Sequence, residues 1–177
     1  TGTENTAVGA RALDSNTTAS YNTAVGVNAL GVNSTGASNT SLGHSSLDAN
    51  TTGAQNTSVG RHALSANTTA SDNTAIGYYA ASTMTTGAQN TALGTQAMHL
   101  ATTGSNNTAV GCYAMDGAVT GSNNTAVGRH AMSELTSGSQ NVAVGAEAAE
   151  PLTTGDNNVS LGFRSMHVIT TGSGNHA

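Results

Sequence analysis

The pentapeptide Asn-Thr-Ala-Val-Gly stands at Asn5–Gly9 and returns, whole or varied, from Asn22, Asn39, Asn56, Asn73, Asn90, Asn107, Asn124, Asn141 and Asn158, each 17 residues after the last. Asn175 opens a further, partial copy. No insertion or deletion interrupts the step. A short period that never slips is the signature of identical units stacked along an axis, each touching only its neighbours. Residues 1–177 therefore read as a single repeat domain, an all-β solenoid of about ten 17-residue coils. Both ends fall inside a repeat, so the chain is expected to be a fragment of a longer one.

Composition supports a thin core and argues against a wide one. Leu, Ile, Val and Phe account for 25 of 177 residues, a share at which disorder becomes a competitor when net charge is high. The formal charge here is only -5, and strict periodicity decides for a repeating core. All four basic residues are Arg, which does not supply the clustered basic face of a nucleic-acid groove. No apolar run approaches the roughly 18 residues of a membrane span. The single cysteine, Cys112, excludes a disulfide framework within the chain.

Counting each Asn as place 1 of 17 exposes the pattern. Places 2–4 read Thr-Ala-Val or close variants, and place 5 is Gly in every full copy, as at Gly26, Gly60, Gly94 and Gly128. Alternation ended by Gly predicts a short strand and a corner. Val142 and Val159 replace Thr at place 2, which predicts that places 2 and 4 face inward together and place 3 outward. Places 3 and 8 accept only Ala or Ser, which predicts close packing over them from outside. Place 9 is Leu or Met except at Ala81 and Ala149, a second inward knob, and the Thr-Thr-Gly of places 13–15 predicts a further extended segment and a turn. Place 1 becomes a column of Asn, including Asn22, Asn56, Asn90 and Asn124, whose stacked amides hydrogen-bond up the column and whose backbone tolerates a left-handed corner. Gly, Thr and Asn at this density disfavour helix.

Asn-Thr-Ala-Val-Gly-x-x-Ala-Leu followed by Thr-Thr-Gly resembles repeats in tail-fibre and surface-fibre proteins of bacteriophages. It is also similar to the head repeats of trimeric autotransporter adhesins, whose strands read Ser-Val-Ala-Ile-Gly. The resemblance spans the whole chain; the period of 17 is longer than in the adhesin heads. It implies a left-handed parallel β-roll in a parallel homotrimer. The expected location is then extracellular, on a virion or cell surface.

Variation concentrates at places 6 and 7, just after the corner Gly. These positions hold Arg11, His44, Arg61, His62, Tyr78, Tyr79, Tyr113, Arg129, His130, Phe163 and Arg164. Arg and Tyr bring stacking and hydrogen-bonding capacity, so the stripe is a candidate receptor or glycan surface. The competing reading is that this corner is merely roomy, with Arg pairing the acids of place 10, Asp14, Asp48, Asp116 and Glu150. No catalytic motif, cofactor motif or metal-ligand spacing occurs, so no enzyme activity, cofactor or metal is expected. The leading expectation is a structural or adhesive segment of a trimeric fibre, its partners being itself and a cell-surface glycan or receptor, without nucleic acid or membrane insertion. The alternatives are an ice-binding Thr-rich solenoid and a self-assembling surface filament. The inward assignment of place-2 Thr weakens the first of these.

Overall fold

The computed structural model describes residues 2–177, and among these no helix forms. Each repeat contributes one three-residue strand, from β1 (Thr6–Val8) to β10 (Val159–Leu161). The strands pair in sequence order into one parallel ten-stranded sheet. Register follows the period: on β7 (Thr108–Val110) and β8 (Thr125–Val127), Thr108 pairs Thr125, Ala109 pairs Ala126 and Val110 pairs Val127. The protein is a parallel β-solenoid of about nine turns, and only places 2–4 are regular strand. The extended segment expected at places 13–15 is instead bends, held to the next coil by bonds such as Thr51 N–H to the Thr68 carbonyl at 2.8 Å.

The facing of the strand reverses the expectation. Ala24, Ala75, Ala109 and Ala126 of place 3 are fully buried, whereas the Thr and aliphatic residues of places 2 and 4 point outward. The reason lies across the coil. Place 8 is buried directly opposite place 3: Ser41 Oγ donates to the Ser46 carbonyl at 2.7 Å, and Ser58 Oγ to the Ala63 carbonyl at 2.8 Å. That separation leaves room for a methyl or hydroxymethyl group and nothing longer. The Ala/Ser restriction is therefore imposed from inside the coil, and no outside partner is needed to explain it.

Place 9 supplies the bulk of the apolar core, as expected. Leu30, Leu47, Leu64, Met98, Met115 and Met132 are fully buried, each removing enough apolar surface to contribute roughly 1.5–3 kcal/mol. Place 12 is a second interior position. Asn33, Asn50 and Asn67 occupy it early in the chain, and Met84, Leu135 and Leu152 later. Where place 9 shrinks to Ala81 or Ala149, place 12 enlarges to Met84 or Leu152, so core volume is conserved within the coil.

Two interior amide columns tie the coils together. At place 1, the Asn124 main-chain N–H donates to Asn107 Oδ1 at 2.9 Å and its Nδ2 donates to the Gly138 carbonyl at 2.8 Å, and the pattern recurs along the rod. At place 12, Asn50 Nδ2 donates to Asn33 Oδ1 and Asn67 Nδ2 to Asn50 Oδ1, both at 2.9 Å. The left-handed backbone is not at the place-1 Asn, as expected, but at places 7, 9 and 17, for example Tyr79 (φ 55), Met98 (φ 54) and Gln55 (φ 59). Each such residue costs on the order of 1 kcal/mol, and coil-to-coil bonds such as Tyr79 N–H to the Arg61 carbonyl at 3.0 Å hold it there. The corner is stricter. Gly77 adopts φ 144, and a Cβ there would run into the carbonyl of Gly94 in the next coil.

Candidate functional site

The left-handed residue at place 7 turns its side chain out between those of places 6 and 10, so the three places share one long face. His44 of place 6 meets His62 of place 7 edge-on, with ring centroids 5.6 Å apart. His62 then meets Tyr79 at 4.8 Å, and Tyr79 touches both Tyr78 at 4.6 Å and His99 at 5.8 Å. The Arg61 guanidinium lies 5.9 Å from the Tyr78 ring centre. Further along, Tyr113 and His130 stack face to face at 5.0 Å with 5° between their planes. The structure therefore brings His44, Arg61, His62, Tyr78 and Tyr79 of the candidate stripe into one cluster. Tyr113 and His130 form a second, two coils on.

The other stripe residues separate into two groups. Arg129 and Arg164 both bind Glu147, Arg164 Nε reaching Oε2 at 2.6 Å. The hydrogen bond from Arg164, reinforced by the charges of both Arg, holds the Glu147 carboxyl below its ordinary range. The exposed Phe163 ring lies 5.1 Å from the Arg164 guanidinium carbon. At the other end, Arg11 lines an open notch of about 410 Å³ with Asp14, Asn28 and Asp48, where Gly31 leaves place 10 without a side chain.

The pairing expected between Arg and the acids of place 10 does not form. Arg129 and Arg164 choose Glu147 of place 7, and the place-10 acids Asp48, Asp116 and Glu150 lie near His. His99 Nδ1 lies 3.6 Å from Asp116 Oδ1, and His167 Nδ1 lies 3.8 Å from Glu150 Oε2. Asp116 Oδ1 is buried and accepts no hydrogen bond among the described residues. Burial raises the pKa of Asp116, tempered by His99 and His130, and likewise raises that of Asp48. Burial and the neighbouring Arg61 lower that of His62. His99, at place 10, is the residue of this candidate face that the stripe at places 6 and 7 did not include; its contact with Tyr79 shows that place 10 returns to the same face.

A second candidate surface lies on the sheet. Places 2 and 4 form parallel outward columns of Thr and of Val, Leu or Ile with no charged side chain. Val8 and Leu161 are 57% and 58% exposed at the ends, and Leu42 and Leu93 are 46% and 42% exposed between them. Among the described residues, no group of three or more His, Cys, Asp or Glu is placed to hold a metal ion, and no helix is long and apolar enough to cross a membrane.

The architecture places the chain in the class of parallel β-solenoids. No protein-family model matches it, and no curated protein or solved structure matches it at a significant level.

Proposed function

We propose that the chain is a non-enzymatic segment of an extracellular trimeric fibre, of the kind that extends from a phage tail or bacterial surface and spaces or presents attachment to a cell. The observation that carries the reading is the uncharged sheet face. A ten-strand aliphatic column, with Leu42, Ile76, Leu93 and Val144 all substantially exposed, is contiguous rather than scattered and supports reading this face as an interface. Three such faces meeting around an axis would withdraw the column from water. Identical coils in parallel register then place like residues at one level, so every coil contributes the same contact. The left-handed coil and the attachment role come from the resemblance to fibre repeats. The small residues of places 3 and 8, which face inward, contribute nothing to the argument.

The test is the mass in solution of the untagged chain by analytical ultracentrifugation. The reading expects three times the chain mass of 17.3 kDa, and a return to one chain in the Val110→Asp, Val127→Asp double variant with its circular dichroism unchanged. A stable single chain in the unaltered protein would sink it. Species far larger than a trimer would favour end-to-end filaments.

A second reading has its own observation. The place-2 Thr column faces solvent, which removes the argument that weakened ice binding. A flat, uncharged Thr-x-Val array on a rigid sheet is a regular surface over which water can order. Thermal hysteresis of the single chain decides this reading, and absence of hysteresis ends it.

A further inference from the structure

The face shared by places 6, 7 and 10 has a composition that the sheet face lacks. Along place 7, five consecutive coils carry His62, Tyr79, Gln96, Tyr113 and His130, all planar and all half-buried. Their backbones are fixed one by one by bonds to the preceding coil. Tyr113 N–H donates to the Thr95 carbonyl at 3.0 Å and His130 N–H to the Cys112 carbonyl at 3.1 Å. The planes are further braced by the ring contacts between His62 and Tyr79, and between Tyr113 and His130. Side chains locked in this way lose little freedom when a ligand lies on them.

Polar groups border the row on the place-10 side. Asp48, Ser65, Ser82, His99, Asp116 and Ser133 run along that edge. Asp116 Oδ1 is buried beneath that edge, 3.6 Å from His99 Nδ1, so the ligand-facing polar groups are the half-buried Asp48, Ser65 and Ser133. Arg61 and Arg129 stand on the opposite, place-6 edge. The track is therefore a floor of rings between a wall rich in acceptors and hydroxyls and a wall carrying the Arg61 guanidinium and, at its far end, an Arg129 already paired with Glu147.

We propose that this track, from His62 to His130, binds a neutral linear oligosaccharide extended along the rod axis. The C–H groups of a sugar pack against the exposed rims of the Tyr and His rings, and its hydroxyls are the donors and acceptors that Asp48, Ser65, Ser133 and Arg61 complement. The axial step, roughly 4.8 Å per coil, is comparable to the length of one sugar ring, so successive sugars meet equivalent places. Charge selects the ligand class. A single-stranded nucleic acid also stacks on aromatic rows, but it requires a positive groove along its backbone. Here two carboxylates face two guanidinium groups along the track, and the chain carries a formal charge of -5. An anionic glycan is disfavoured for the same reason. The proposal deepens the fibre reading and rests on it for the source of the ligand, a cell-surface glycan.

The experiment uses the whole chain and a panel of neutral linear hexasaccharides with glucose, xylose, mannose, galactose or N-acetylglucosamine backbones. Binding is read by tyrosine fluorescence, which no Trp obscures, and by calorimetry. At least one hexasaccharide is expected to bind, and the Tyr79→Asn, Tyr113→Asn double variant to lose roughly tenfold or more in affinity. Asn28 holds place 7 in the same left-handed conformation (φ 58), so these replacements are compatible with the coil, and circular dichroism confirms it. Tyr21, on a different face, serves as the control: Tyr21→Asn leaves binding unchanged. The proposal is overturned if no hexasaccharide binds at millimolar concentration, or if binding survives the double variant. Preferential binding of oligo(dT) or of a proline-rich peptide overturns it too. Mass is measured on the same samples, so a failed track and a failed trimer are separately visible.

Discussion

The main-chain N–H of Asn124 donates to the side-chain Oδ1 of Asn107 at 2.9 Å, so each coil's amide side chain closes a backbone bond in the next. Asn107 also satisfies the Gly121 carbonyl through Nδ2 at 3.0 Å. Asn107→Ala strands both buried groups and is expected to cost about 2–6 kcal/mol, at roughly 1–3 per unsatisfied group. Urea denaturation measures it. Asn107→Asp keeps the acceptor but sets a carboxylate against the Gly121 carbonyl, so its deficit should be larger at neutral pH than in acid.

Neighbouring strand positions should respond oppositely. Ala109 is fully buried opposite place 8, and Ala109→Val is expected to cost about 1–3 kcal/mol by overpacking. Val110 points outward, and Val110→Thr should shift single-chain stability by less than about 0.5 kcal/mol. Thermal melts at the lowest workable concentration compare the two. Equal costs would mean that the strand faces have been assigned the wrong way round.

The fifth coil, which opens at Asn73, supports a rescue experiment. Asn67 Oδ1 has no hydrogen-bond partner because the place-12 amide column stops there and Met84 follows. Met84→Ala should cost about 2–5 kcal/mol, since Ala81 leaves that coil no other large core side chain. Ala81→Leu alone overpacks. Together, Ala81→Leu and Met84→Asn reproduce the Leu–Asn pairing of the preceding coils and give Asn67 Oδ1 a donor. The double variant is therefore expected to be clearly more stable than the sum of its parts.

Acid should separate two carboxylates on the face shared by places 6, 7 and 10. The Glu147 carboxyl titrates below its ordinary 4.5 because Arg164 and Arg129 hold the charged form. Its contribution is therefore present at neutral pH and lost as pH falls through the lowered value. Glu147→Gln should be less stable than the parent at pH 7, with the difference vanishing in strong acid. Asp116 is shifted upward from 3.8 by burial, so its ionised form opposes folding and the parent gains stability on acidification through that range. Asp116→Asn should remove that gain. Melting curves between pH 2 and 7 test both signs.

The sequence was most informative wherever one place tolerates one residue type. The 17-residue step gave the parallel register, place 5 gave the corner, and place 1 gave the amide column. It misled at the strand. Alternation separates two faces without saying which is inside, and Val142 and Val159 suggested that the larger side chains were core. The deciding constraint was the distance between places 3 and 8, a contact across the coil that no local pattern displays. The left-handed backbone at Leu64 and Met98 was equally hidden, because those residue types do not announce it. On the candidate face, Arg61, His62, Tyr78 and Tyr79 were singled out by their variability, and the structure clusters them. His99 was missed because place 10 was read only for its acids, Asp14, Asp48, Asp116 and Glu150.

Because every strand pairs only with the one before and the one after it, a whole coil can be deleted or duplicated without creating a new kind of contact. Excising 17 residues at any phase rejoins equivalent places and shortens the rod by one strand spacing, roughly 4.8 Å. Reach thus becomes a quantity that copying errors can adjust in uniform increments. Arg61-His62-Ala63-Leu64-Ser65 reappears four coils later as Arg129-His130-Ala131-Met132-Ser133, the trace such a copying event leaves. A lineage carrying this gene can lengthen the rod and multiply its surface features in one step, with folding already solved for the added piece.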